Sequence, residues 1–141
     1  ESAVTSPTHT IAYFDSTYQE ALDLAREARN FIVYQDSVET AKLDPAVRLV
    51  ISCESMRVTT RVGQIIAWLL VQKAVHAGEL TRAQAAQAPY RLSGKKVCEA
   101  NALVADEKIP DKLQDLLDRS HRLYARVSRL DAALDAYEAS A

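Results

Sequence analysis

From Leu113 to Tyr137 a residue of one stripe returns every three or four positions, through Leu116, Ser120, Leu123, Val127, Leu130 and Leu134. These steps place the residues on the a and d positions of a heptad, so they line one seam of a long helix. Leu117 and Tyr124 broaden the stripe, and Pro110 suits the first position of the helix, which spans about 110–138. A seam of this kind is buried only by packing on other helices.

The segment before it supplies one partner. Asp44 is placed to cap a helix, Pro45 occupies a position where no backbone donor is missed, and Gly78 is placed to end it. The resulting helix, 44–77, is a rod of roughly 50 Å. It carries two apolar sectors. One holds Val47, Ile51, Val58, Val62, Ile65 and Leu69; the other, nearly opposite, holds Leu49, Cys53, Met56, Ala67, Val71 and Ala74. A surface helix needs one stripe, so the second predicts cover from both sibling helices or from another copy of the chain. With so few walls available, a homodimer is expected.

Ile11, Phe14, Tyr18, Ala21, Ala25, Ala28 and Ile32 make a third stripe at helical spacing. Ser16 and Gln19 resemble a capping box, which sets the first helix at about 15–40 behind a flexible leader of residues 1–9. A second such pair, Thr81 and Gln84, opens a short helix at 81–88 stopped by Pro89. Tyr90 to Ile109 has no sustained period and reads as a long loop. Three glycines and four prolines in 141 residues leave little turn chemistry for a β-fold. The expected architecture is all-α: one domain, 10–141, built as an antiparallel three-helix bundle.

Chemistry is harder to find. His9, His76 and His121 are scattered, and none stands four residues from another ligand. No glycine-rich turn follows a strand, and no nucleophile has a base in sequence reach. Asp111, Asp115, Asp118 and Asp135 fall outside the heptad seam, as a solvated face does. Cys53 and Cys98 share no metal-like spacing and read as one small buried hydrophobe and one loop thiol. No cofactor, metal or catalysis is expected. The run Ile65–Val71 is far below the roughly 20 residues of a membrane span, and no signal peptide is seen, so the expected location is the cytoplasm. A formal charge of −2 gives no general attraction to nucleic acid.

Three features stand out. Glu54, Arg57 and Arg61 cluster in CESMRVTTR on the second helix, with Glu54 and Arg61 at one edge of its main apolar face. They fit an ion-pair network that fixes helix register, or a charged docking surface. Arg119, Arg122, Arg126 and Arg129 form a row along one flank of the last helix, suited to gripping acidic groups or to pairing with neighbouring acids. Trp68 is expected in the core or at an interface. GELTRAQAAQA looks like half of a helix-turn-helix, and Arg82, Arg91, Lys95 and Lys96 add positive charge nearby. The stretch that follows lacks the period of a recognition helix, which leaves a DNA-binding regulator as the weaker alternative.

The segment SCESMRVTTRVGQIIAWLLVQKAVHAGEL, residues 52–80, resembles the signature of the RcdA family, regulators of CtrA degradation in alphaproteobacteria. The matching positions are Glu54, Ser55, Met56, Arg57, Thr59, Thr60, Arg61, Trp68, Leu69, Leu70, Gln72, Lys73, Ala74, Val75, Gly78 and Glu79. A second likeness lies in IPDKLQDLLDRSHRLYARVSRLD, residues 109–131. The resemblance implies a dimeric three-helix bundle serving as an adaptor for the ClpX–ClpP protease. Its implied partners are a response-regulator-like priming adaptor, a cyclic-di-GMP-binding adaptor and protein substrates such as a cell-cycle transcription regulator. A helical scaffold unrelated to proteolysis is the alternative.

Overall fold

The computed structural model describes residues 7–35, 41–100 and 109–139; at 7–11, 35 and 135–139 it describes the backbone only. The elements are α1 (Pro7–Gln35), α2 (Pro45–His76), α3 (Arg82–Ala85), α4 (Lys95–Cys98) and α5 (Asp111–Ala139), with a 3-10 turn at Ala88–Tyr90. No strand occurs among the described residues.

Local chemistry sets the ends of α2. The Asp44 carboxylate accepts from the Ala46 N–H at 3.2 Å, and Pro45 follows as the first helical residue. At the other end Gly78 takes φ +78°, which lets the Glu79 N–H reach the Ala74 carbonyl at 2.9 Å and the Gly78 N–H reach that of Val75 at 3.1 Å. This pair of bonds satisfies carbonyls that the helix end leaves open. An L side chain is strained at that φ. Gly78→Ala is therefore expected to destabilise the fold by about 1–2 kcal/mol, lowering Tm by roughly 3–8 °C in a thermal melt. An unchanged Tm would contradict this account of the turn.

Thr81 and Gln84 form the reciprocal capping box foreseen from the sequence, at 2.9 and 3.1 Å. The helix they open closes at Ala85 rather than 88, because Pro89 draws Ala88–Tyr90 into a 3-10 turn. α1 begins at Pro7, not near residue 15. Proline is tolerated in a first turn, so residues 7–9 are helical and Ser16 lies inside the helix rather than capping it. Residues 1–6 and 36–40, which carry the rest of the expected leader and the expected helix end, lie outside the described residues.

The three long helices share one core. α5 contributes Leu113, Leu116, Leu117, Leu123, Tyr124 and Val127, with Leu130 and Leu134 half-buried against them. α2 contributes Ile51, Val58, Val62, Ile65, Trp68 and Leu69. The α1 stripe is rotated from its sequence reading: Ala21, Leu24, Ala28 and Phe31 are buried while Ile32 is 41% exposed. Alanine-rich sequence defines a face loosely, and the larger Leu24 and Phe31 settle which side turns inward. The side chains of Ile11 and Tyr137 lie outside the described residues.

Cross-helix contacts give the directions. Phe14 packs on Trp68 and His76, and Asp15 pairs with Lys73, so the start of α1 meets the end of α2. Glu27 pairs with Lys112 and Glu20 with Arg126, so α1 is antiparallel to α5 as well. α2 and α5 run parallel, since Arg61 bonds to Leu117 and Ser120 whereas Trp68 bonds to Asp131. Two parallel helices in sequence need a connection that returns the length of the bundle. Within it, residues 91–100 run back from Asp131 to Arg57, and the segment read as loop contains α4.

Candidate functional site

Arg61 is 2% exposed, and four hydrogen bonds carry it across to other segments. Its Nε donates to the Cys98 carbonyl at 2.8 Å and Nη2 to that of Ala100 at 3.1 Å. Its Nη1 donates to the Leu117 carbonyl at 3.0 Å and the Ser120 hydroxyl at 3.2 Å. The single turn of α4 leaves carbonyls without helical partners, and a guanidinium offers five donors in a fixed fork to meet them. Burial pushes the Arg61 pKa down. One turn earlier, Arg57 Nη1 donates to the Val97 carbonyl at 2.7 Å and Nε to Glu54 at 3.2 Å. Glu54 is 0% exposed. The spacing 54, 57, 61 keeps the three on the flank of α2 that faces α4.

A second cluster lies further along the same groove. Asp131 is buried and its Oδ1 accepts from Trp68 Nε1 at 2.9 Å, from Arg91 Nε at 2.8 Å and from the Leu92 N–H at 3.4 Å. Arg91 Nη2 also donates to the Asp131 carbonyl at 2.9 Å and to Oδ2 at 3.2 Å. Between the clusters the Tyr124 hydroxyl donates to the Ser93 carbonyl at 2.9 Å, and burial raises its phenol pKa. Tyr124 is legible in the sequence as part of the broadened heptad stripe and Asp131 as the end of the second stretch of family likeness, but neither is marked as a polar anchor, and Arg91 has no motif or period that marks it. Arg91, counted as local positive charge in the DNA-binding reading, is held by a carboxylate within the chain.

The arginine row divides. Arg119 reaches Glu27 at 2.6 and 3.0 Å and Asp115 at 2.9 Å, and Arg126 reaches Glu20 at 2.6 Å. Arg122 and Arg129 are exposed and make no ion pair with a described residue. The two pairs alternate because seven residues bring a helix back nearly to its starting face. Hydrogen bonds from Arg119 and then Lys112 draw the Glu27 pKa down to about 2 from an ordinary 4.5. A carboxylate with a depressed folded pKa stabilises fully above its unfolded pKa, and that share is lost as pH falls from about 4.5 to about 2. Glu27 is one-third exposed, so solvent screening keeps the contribution small. An NMR titration should place the Glu27 midpoint near 2, and Glu27→Gln should flatten the stability loss across that window. A midpoint in the usual carboxylate range would refute the pairing.

The surface left over is apolar in part. Leu49 and Met56 on α2 are 65% and 68% exposed, and Cys53, Ala67 and Leu70 lie exposed on the same helix. Val71 and Ala74 of the second sector are half-buried. The cysteines reverse their sequence reading: Cys98 in the connection is buried and Cys53 on the helix is exposed. A shallow groove of about 450 Å³ lies between the end of α1 and the start of α5, floored by Phe31, Tyr34 and Pro110. Among the described residues no three metal-ligating side chains converge, and no helix is long and apolar enough to cross a membrane.

Residues 6–141 match the family described as "Protein of unknown function (DUF1465)". No curated protein matches the chain. Among solved structures, the crystal structure of RcdA from Caulobacter crescentus CB15 is similar at 36% identity and a TM-score of 0.62. The match covers 86% of this chain and 89% of that one.

Proposed function

This chain belongs to the RcdA family, grouped as DUF1465, and from that premise we propose that it is an adaptor acting only through protein–protein contacts. The observation that carries the reading is the exposed row on α2. Leu49, Met56 and Leu70 stand in solvent on the helix most deeply engaged in the core, where apolar exposure brings no benefit to a lone chain. Glu54, Arg57 and Arg61 of the family motif are committed to bonds within the fold, which favours surfaces rather than a reactive centre for function. A second copy covering part of the row gives a homodimer, and the remainder serves other partners.

The finer role follows the family likeness. The protein delivers substrates to the ClpX–ClpP protease in the cytoplasm, with a response-regulator-like priming adaptor and a cyclic-di-GMP-binding adaptor as further partners. Tethering raises the local concentration of substrate at the unfoldase and needs no catalytic group on the adaptor. Immobilised protein exposed to native lysate should retain ClpX or a response regulator, and Met56→Glu should reduce that retention without altering the melt. Reproducible absence of both proteins would favour a scaffold unrelated to proteolysis.

A further inference from the structure

The returning connection is attached differently from the rest of the molecule. Between Arg91 and Ala100 only Leu92 and Cys98 are buried apolar side chains; Ser93, Gly94, Lys95, Lys96, Val97 and Glu99 are exposed. What holds the segment is polar, and it is gripped largely by its main chain. Arg57 binds the Val97 carbonyl, Arg61 those of Cys98 and Ala100, and Tyr124 that of Ser93. Among the described residues, Arg91 on Asp131 and Ser93 on Gln64 at 2.8 Å add polar side-chain anchors, and Leu92 and Cys98 pack against the core.

We propose that residues 91–100 are a latch that opens as a unit from the groove between α2 and α5 while the three long helices stay packed. Segments with few buried apolar contacts open below the free energy of global unfolding. Each bond broken here exchanges for one to water, and Arg61 regains hydration that burial denies it. Gly94, at φ +75°, sits in the middle of the segment. The closed latch occupies a seat whose donors bind main-chain carbonyls of the short helix and its flanks, so the seat's resident ligand is the protein's own backbone.

Cys98 reports on opening, because its thiol is fully buried and lies within the latch. In a Cys53→Ser background, labelling of Cys98 by an aromatic disulfide reagent is measured under native conditions. Arg91→Ala should speed labelling roughly ten- to hundredfold, the size expected for charge-assisted hydrogen bonds. Leu24→Ala, which weakens the core on α1, should leave the rate within about twofold. A large acceleration by Leu24→Ala means that Cys98 is reached only through global unfolding and overturns the proposal. Should that variant not fold, urea decides. A labelling rate that rises with urea far less steeply than global unfolding supports the latch, and one that rises equally steeply rejects it.

Discussion

Arg61→Ala is expected to lower stability by about 4 kcal/mol, a drop in Tm of roughly 12–16 °C. Two losses combine. The substitution empties a fully buried volume, and it strips donors from the carbonyls of Cys98, Ala100 and Leu117 and from the Ser120 hydroxyl. Arg61→Met separates the two, since it keeps most of the volume and supplies no donor. It should remain about 2–3 kcal/mol less stable than the parent protein, because unsatisfied buried acceptors are costly in a dry site. Arg61→Lys keeps the charge but loses the planar fork that spans two segments, and should fall between the parent and Met. Urea unfolding of the three variants checks the series. If Arg61→Met matches the parent within about 1 kcal/mol, the guanidinium is filler and the account of the motif fails.

Asp131→Ala should cost about 3–5 kcal/mol, because it leaves an indole N–H, a guanidinium and the Leu92 N–H around an empty acceptor position. Asp131→Asn retains an oxygen for Trp68 while removing the charge that Arg91 needs, so it should cost less. A double-mutant cycle over Arg91→Ala and Asp131→Ala is expected to give a coupling of about 1.5–3 kcal/mol, the range for groups in one buried network. Trp68 is the chain's single tryptophan, so its fluorescence follows the same site directly. Additive effects of the two substitutions would show that the contact contributes little.

Family likeness and structure together give these residues a meaning that the motif by itself does not. The run CESMRVTTR draws attention as a cluster of charge, yet its two arginines point at carbonyls of α4 and its glutamate at one of those arginines. The most distinctive stretch of sequence is thus spent on holding the returning connection. Leu49, outside that run, and Met56, within it, are instead left exposed to solvent.

What the sequence determined is local. The heptad from Leu113 to Val127, the Asp44–Pro45 start and Gly78 end of α2, and the Thr81–Gln84 box all depend on neighbours within a turn or two, and all are legible from spacing. Tertiary structure decided the rest: the parallel course of α2 and α5, the inward turn of Leu24 and Phe31, and the burial of Cys98 instead of Cys53. It also chose the partners of Arg61, which lie 37 to 59 positions away in the chain. Hydrogen bonds at such separations impose no period on the sequence. They form only after three helices have buried their apolar sides and brought the returning segment within reach.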